Sequence, residues 1–253
     1  MPTLSPRLRA AIIHAALGAV LTLLVGLLVR FAWYPDALFE ALGASGPLAI
    51  LAAAFLIAGP AATFAVFVPG KRGLVFDLVA IGLLTATFAA YVLWTLFETR
   101  PAYVVFVKDR FELVRAGDFP ESEIARAASS PYLDLPLLGP RYAAARMPVD
   151  RAERDRLIFA APTGLDLHHM PQHYMKYDES RAEVARRAEP LRKLRALNPG
   201  ETALIDSLPA AAGRTEDLVG FLPMRAGERD LTVIVDRSNG NPIRLLALRP
   251  WEF

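Results

Sequence analysis

The sequence predicts an α+β membrane protein in which three N-terminal transmembrane helices precede one α+β extracytoplasmic domain. The first observation is that apolar residues dominate positions 1–100, whereas positions 101–253 have the mixed, charged composition of a folded domain. The chain is accordingly 54% hydrophobic, with a mean hydropathy of +0.31. The second observation is the junction Glu98-Thr99-Arg100-Pro101, in which two charges end an apolar span and a proline ends a helix. We therefore expect a membrane domain at 1–100 and a separate α+β domain at 101–253.

Three apolar segments are long enough to be transmembrane helices, at about residues 10–33, 48–68 and 74–96. A helix needs about 20 apolar residues to cross a bilayer. The first segment follows a charged start, as in a secretory signal peptide, but it is too long for a signal peptide's apolar core and further spans follow it. Gly59 and Pro60 lie in the middle of the second segment and predict a kink there.

Basic residues are distributed unevenly among the loops between these segments. Arg7, Arg9, Lys71 and Arg72 fall on one side of the membrane, whereas the loop at 35–47 contains neither Lys nor Arg. Because loops rich in Lys and Arg stay in the cytoplasm, the amino terminus is predicted to be cytoplasmic. Three spans then place the domain at 101–253 on the opposite side of the membrane.

The domain after the spans alternates strand and helix signals. Runs of β-branched and aromatic residues predict strands, and apolar residues at helical spacing predict helices. Asp150 is a candidate helix cap, and Pro190 predicts a kink or a break inside the longest helix signal. The strand signals are residues 103–107, 111–115, 141–146, 218–224, 230–235 and 243–248, and the helix signals are residues 121–129, 149–160, 178–196 and 201–208.

Charge, cysteine content and motifs argue against several classes of protein. The net charge is +2, so we expect no nucleic-acid-binding surface. The chain has no cysteine, which removes disulfides, thiolate zinc sites and cysteine nucleophiles. It also has no G-x-S-x-G motif. We therefore expect a protein that binds rather than catalyses, with no catalytic residue and no cofactor. The alternative is a membrane-anchored periplasmic hydrolase or metalloprotease.

Three histidines in the domain form the grouping that most resembles a metal site in the sequence. His169 and His173 are four residues apart, as in zinc proteases, and His168 precedes them. Pro171 lies between them and opposes the helix that this spacing would need, and no glutamate follows the first histidine. We expect loop histidines and no bound metal.

A stripe of residues recurs every four positions along the first span: His14, Gly18, Thr22, Gly26 and Arg30. An intramembrane histidine is a candidate functional residue, and small residues at this spacing let another helix approach closely. The stripe either packs on the second and third spans or binds a partner helix. We name His14, Gly18, Thr22 and Gly26 as candidate partner-binding residues. The third span offers a matching face of small residues at Gly82, Ala86 and Ala90.

Five stretches, in this order along the chain, carry a resemblance to a known family. In the membrane part and the junction they are WYPDALFEALGASG at 33–46, IAGPAATFAVFVPGKRGLVFDL at 57–78 and FETRPAYVVFVKDRFELVRAGD at 97–118. In the domain they are MPQHYMKYDESRAEVARRAEPLRKLR at 170–195 and FLPMRAGERDLTVIVDRSNG at 221–240. The chain resembles the TfpX/TfpZ family of type IV pilin accessory proteins.

The resemblance implies a multi-pass protein of the bacterial inner membrane, with a periplasmic domain, that assists assembly of a particular type IV pilin. Its expected partners are a type IV pilin subunit, membrane lipid and other pilus assembly components, and no catalytic residues carry over. The implied pilin has an apolar helix with one acidic residue near its cytoplasmic end. The docking hypothesis places that helix on the stripe, with His14 facing the pilin carboxylate. The chain departs from the family because Ala54, Phe55 and Leu56 stand where an acid is expected, and because of its three domain histidines.

Overall fold

The computed structural model describes residues 4–160, 164–227 and 229–252. The chain forms two compact units: a membrane unit, Met1–Ala32 with Gly43–Glu98, and a sheet unit, Trp33–Leu42 with Thr99–Phe253. Three apolar helices long enough to cross a membrane precede an α+β domain built on one sheet. This confirms the predicted architecture of three N-terminal helices followed by an α+β domain.

The spans run over Pro6–Trp33, Ser45–Val66 and Leu74–Glu98, within a few residues of the predicted bounds. Ser5 caps the first helix, since its Oγ accepts the Leu8 N–H at 3.4 Å. The first span comprises α1 (Pro6–Leu27) and a π-helical turn (Leu28–Trp33), and α2 (Leu38–Ala41) follows it. The second comprises α3 (Ser45–Ala53), a π-helical turn (Ala54–Ala58) and α4 (Gly59–Val66), and the third is α5 (Leu74–Glu98).

The second span departs from α-helical geometry where the sequence predicts an irregularity. Its π-helical turn ends at Ala58, immediately before Gly59 and Pro60. Pro60 has no backbone N–H and its ring crowds the preceding turn, so the hydrogen-bond ladder cannot run regularly through this point. The irregular turn brings Phe55 and Gly59 to the buried face of the span.

Among the described residues of the sheet unit, eight strands form one mixed sheet in the order β4-β3-β1-β2-β6-β7-β8, with β5 paired to β6. The pairs β1–β3 and β2–β6 are parallel, and the other pairs are antiparallel. The strands are β1 (Pro101–Val107), β2 (Arg110–Arg115), β3 (Arg141–Ala145), β4 (Tyr174–Lys176), β5 (Glu189–Pro190), β6 (Val219–Ala226), β7 (Arg229–Asp236) and β8 (Pro242–Leu246).

Short helices connect these strands. They are α6 (Glu121–Arg126), α7 (Arg151–Ala160), α8 (Arg181–Arg187), α9 (Leu191–Leu197) and α10 (Thr202–Ala211). The predicted cap of α7 is present, because Asp150 Oδ2 accepts the Glu153 N–H at 2.9 Å. Single 3-10 turns occupy Pro131–Leu133, Leu167–His169, Pro171–His173, Tyr177–Ser180, Pro199–Glu201 and Glu216–Leu218.

The helix signal at 178–196 is two helices rather than one. Between α8 and α9 the chain extends through β5, where Glu189 and Pro190 pair with Phe221 and Gly220 of β6. Proline at 190 cannot donate to a helical carbonyl, and it disfavours helical geometry in the residue before it. The predicted break is therefore present, and the sheet edge uses the extended residues.

The sheet has a buried layer on each face, which explains why all seven residues of β1 are buried. Val104 and Phe106 pack into a core with Phe111, whereas Val105 and Val107 pack into a second core on the other face. Because successive side chains of a strand point to opposite faces, one strand contributes to both layers. This accounts for the nearly continuous apolar run in β1.

The loop after the first span belongs to the sheet unit, although the sequence bounds counted it with the membrane part. Leu38 is fully buried in the core that contains Val104 and Phe106. Arg229 Nη1 also donates to the Glu40 carbonyl at 3.2 Å. The sheet unit therefore completes one of its cores with a segment that lies between two spans in the sequence.

Candidate functional site

The membrane unit contains an apolar groove of about 450 Å³. The second span packs against both the first and the third, and Phe55, Thr63 and Phe67 line the groove. Leu17 of α1 and Gly82 of α5 line the sides of the groove. The groove lies at the end of the unit where α1 and α5 begin and α4 ends.

His14 is held on the second span by a hydrogen bond and by close packing. Its Nδ1 lies 2.7 Å from the Thr63 Oγ1, and Thr63 is 4% exposed. Gly59 makes room for the imidazole, because a Cβ there would lie 2.7 Å from His14 Nε2. Among the described residues, no hydrogen bond reaches His14 Nε2. The second nitrogen therefore lies against Gly59 without a hydrogen-bond partner among the described residues, on a side chain that lines the groove.

Gly18 lies in direct contact with the irregular turn of the second span. A Cβ at this position would lie 2.5 Å from the Phe55 carbonyl oxygen, closer than real Cβ contacts come. Only glycine permits this approach of two backbones, as at other close helix crossings in membranes. His14 and Gly18 thus form the packing face of the first span.

The stripe leaves this packing face beyond Thr22. The Thr22 hydroxyl is buried without a hydrogen-bond partner in the described part of the chain, and a Cβ at Gly26 would meet nothing within 4 Å. The buried residues of the first span continue instead at Val25 and Val29. At 3.6 residues per turn, each step of four residues rotates by about 40°, so a stripe at this spacing leaves the contact after two or three steps.

The small residues of the third span, which include Gly82, were predicted to form a face that matches the stripe. The third span is nevertheless not the principal neighbour of the stripe. A Cβ at Gly82 would meet nothing within 4 Å among the described residues, and Gly82 lines the groove. The residues that contact the stripe are Phe55, Gly59 and Thr63, which sequence reasoning missed. The Gly59–Pro60 pair was the available signal, because it marks where helix geometry changes. That the stripe binds a partner stays a prediction.

A second, polar cleft of about 370 Å³ lies in the sheet unit. Its lining includes Glu112 of β2, Arg225 of β6 and the histidine pair His168 and His169. Glu112 and Arg225 are paired positions of parallel strands, so their side chains share one face. The two imidazoles lie against each other, with ring centroids 4.0 Å apart.

Burial controls the protonation of this cleft. Burial raises the pKa of Glu112 to about 7, against the opposing effect of the nearby Arg225 charge. Burial, followed by the charge of His169, lowers the pKa of His168 to about 4. Between these values the carboxyl keeps its proton and the imidazole stays neutral. At neutral pH, Glu112 can therefore donate or accept a proton.

The third histidine lies apart from the pair. His173 Nε2 is 3.5 Å from Glu153 Oε1, in a charge network with Arg156. Within the described ranges, no three His, Cys, Asp or Glu side chains are placed to hold a metal ion. The three-histidine cluster of the sequence is therefore split between two neighbourhoods.

The fold and the groove define a three-span protein with an α+β sheet domain. Two fimbrial assembly proteins of Dichelobacter nodosus, those of serogroup I and serogroup E1, are similar to the chain. Each is 25% identical over 181 residues, which cover 71% of this chain and 70% of the relative. No family model matches the chain. No solved structure matches it either.

Proposed function

We propose that this chain is an inner-membrane accessory protein of type IV pilus assembly, as the TfpX/TfpZ resemblance implies, and that it acts as a chaperone by binding a pilin subunit. The similarity to two fimbrial assembly proteins carries the proposal. The match extends over 181 residues, more than the spans occupy, so it includes part of the sheet unit. A likeness of apolar helices alone would not account for that length.

The proposed orientation places the amino terminus and the turn between the second and third spans in the cytoplasm. Lys71 and Arg72 in this turn support it through the positive-inside rule. The sheet unit then lies in the periplasm. The apolar groove lies at the end of the membrane unit where α1 begins, which is the cytoplasmic half in this orientation.

The apolar groove is our proposed site for the transmembrane helix of the pilin. Its lining is dominated by apolar side chains such as Leu17, Leu21 and Phe67, which suit an apolar helix within the bilayer. The acidic residue that the resemblance implies near the cytoplasmic end of the pilin helix would lie at a similar depth to His14. A buried carboxyl needs a polar partner in a low-dielectric environment, and His14 supplies one.

The Thr63 hydrogen bond determines whether His14 Nε2 donates a hydrogen bond to that carboxyl or accepts one from it. When the Thr63 hydroxyl donates to Nδ1, the imidazole proton lies on Nε2, which then donates to a carboxylate in the groove. When Nδ1 donates to Thr63, Nε2 instead accepts a proton or a hydrogen bond. Thr63 thus orients the ring for either protonation state of the pilin acid. The proposal contains no catalytic step, since the sequence offers no nucleophile and base set.

Photocrosslinking in cells that express the pilin tests this site. A photoreactive residue at Leu17, which lines the groove, should capture pilin. The matched control is Leu23, which is similarly exposed, at 61% against 67%, but lies outside the groove lining. Capture from Leu23 and not from Leu17 would contradict groove docking. Undiminished pilus number after deletion of the whole chain would contradict the function itself.

A further inference from the structure

Two adjacent leucines of the sheet unit are exposed in an otherwise ordered loop. Leu137 and Leu138 have exposed fractions of 67% and 66%. The loop before them is fixed, because the Tyr103 hydroxyl donates to the carbonyls of Tyr132 at 3.1 Å and Asp134 at 3.3 Å. The leucine pair is therefore presented to its surroundings by a defined backbone.

A buried arginine ties this loop to the point where the chain leaves the third span. Arg100 is 3% exposed, and its Nε and Nη2 donate to the Pro136 carbonyl at 3.3 and 3.2 Å. Arg100 follows Glu98, the last residue of α5, by two positions. Two extended residues reach at most about 7 Å, so Arg100 stays close to the end of the span.

The strand register places the leucines at the same end of the sheet. β3 is parallel to β1, and Arg141 pairs with Tyr103 near the beginning of β1. Both strands therefore begin at the end of the sheet where the chain enters the sheet unit from the third span. Leu137 and Leu138 precede Arg141 by only a few residues, so they lie at that end.

We propose that Leu137 and Leu138 insert into the interfacial region of the bilayer that holds the spans of this chain. The occupant is lipid because the pair is apolar and exposed, and because its loop is hydrogen-bonded to Arg100, two residues after a membrane span. The exposed Arg141 beside it suits phosphate headgroups. This contact is independent of the proposed role in pilus assembly.

The absence of cysteine from the chain makes a direct test possible. Leu137→Cys and Leu138→Cys would each be labelled with an environment-sensitive nitrobenzoxadiazole dye in the full-length protein. The protein would be reconstituted without other proteins into phosphatidylcholine–phosphatidylglycerol vesicles with doxyl-lipid quenchers in both leaflets. The matched control is Asp109→Cys, in the exposed turn at the opposite end of the β1–β2 hairpin.

We expect blue-shifted emission and strong doxyl quenching from positions 137 and 138, and water-like, unquenched emission from position 109. Thermal unfolding of each labelled variant should match that of the unlabelled parent, because these side chains are exposed. Water-like, unquenched emission at both leucine positions would overturn the proposal. Emission that shifts only when purified pilin is added would also overturn it, and would assign the leucines to a protein partner.

Discussion

Gly18 and Gly26 belong to the same four-residue stripe but have different surroundings. At Gly18 the backbone of Phe55 occupies the space of a side chain, whereas the space at Gly26 is open among the described residues. One glycine therefore permits contact between helices, and the other can accept a larger residue. This difference assigns Gly18 to internal packing and leaves Gly26 without a packing contact among the described residues.

Gly18→Leu should destabilise the membrane unit, since the new side chain cannot fit against the Phe55 backbone. We expect a loss of about 1–3 kcal/mol, typical of overpacking, and a lower melting temperature of the full chain in detergent. Gly26→Leu should change stability by less than about 0.5 kcal/mol. Equal losses in the two variants would contradict the assigned packing face. If the partner uses Gly26, its leucine variant should instead lower pilus number at normal protein level.

Glu112 makes stability depend on pH in the direction opposite to most carboxyls. Its pKa is raised to about 7 by burial, so the folded state keeps a proton that the unfolded chain loses near pH 4.3. Stability should therefore fall as pH rises from about 4.5 to 7, by about 2–3 kcal/mol. Glu112→Gln should remove this slope and stabilise the protein at pH 8, measured by thermal unfolding. The exposed Glu121→Gln is the control, and an unchanged slope in Glu112→Gln would refute the assignment.

At the scale of secondary-structure elements, charge pairs fix α7 against the rest of the sheet unit. Arg156 of α7 donates from Nη1 and Nη2 to the fully buried Glu123 of α6, at 2.7 and 3.0 Å. Gln172 donates to the same carboxylate at 2.8 Å. These contacts join α6, α7 and the Pro171–His173 turn. Separating the three elements would leave the buried Glu123 carboxylate without partners, which is costly.

Glu153 makes this network sensitive to acid. The hydrogen bond from Arg156, aided by the charge of that arginine, lowers the pKa of Glu153 to about 2. The stabilisation is complete above the unfolded-state pKa near 4.3 and is lost as pH falls towards 2. Glu153→Gln should cost about 1–2 kcal/mol at pH 7, after allowance for solvent screening, and almost nothing near pH 2. Thermal unfolding between pH 2 and 7 measures the stability lost in Glu153→Gln, and the exposed Asp155→Asn of the same helix is the control. An equal loss at both pH values would exclude a contribution from the Glu153–Arg156 ion pair.

At the scale of the whole molecule, the number of candidate spans and the loop charges support the proposed topology across the membrane. The described residues contain three candidate spans, so the two ends of the chain are expected on opposite sides. Our proposal places Lys71 and Arg72 on the cytoplasmic side, because loops rich in Lys and Arg stay in the cytoplasm. In our proposal, the groove and the sheet unit would therefore meet different parts of a pilin.

Reporter fusions test this topology. Alkaline phosphatase, which is active only outside the cytoplasm, should be active when fused to the carboxyl terminus and inactive when inserted at Gly70. A green fluorescent protein, which folds in the cytoplasm, should give the reverse pattern at the same two positions. The opposite result at both positions would show that the charge rule fails for this chain.

The sequence alone determined the features that depend on neighbouring residues. Apolar length predicted the three spans, and runs of β-branched and aromatic residues predicted β1 and β2. Pro190 marked a break, although only the sheet shows that the extended residues pair with β6. These predictions succeeded because hydrophobicity, the strand preference of β-branched and aromatic residues, and proline geometry act within a few residues.

Only the tertiary structure decided which distant segments meet. Leu38 joins a core of the sheet unit from a loop between two spans, and His14 meets Thr63 across 49 positions. The short loop around Leu38 has no periodicity to reveal its burial, and the partner of Gly18 depends on an irregular turn in another helix. Such contacts arise because several elements must bury apolar surface and satisfy polar groups together, a condition that no local pattern records.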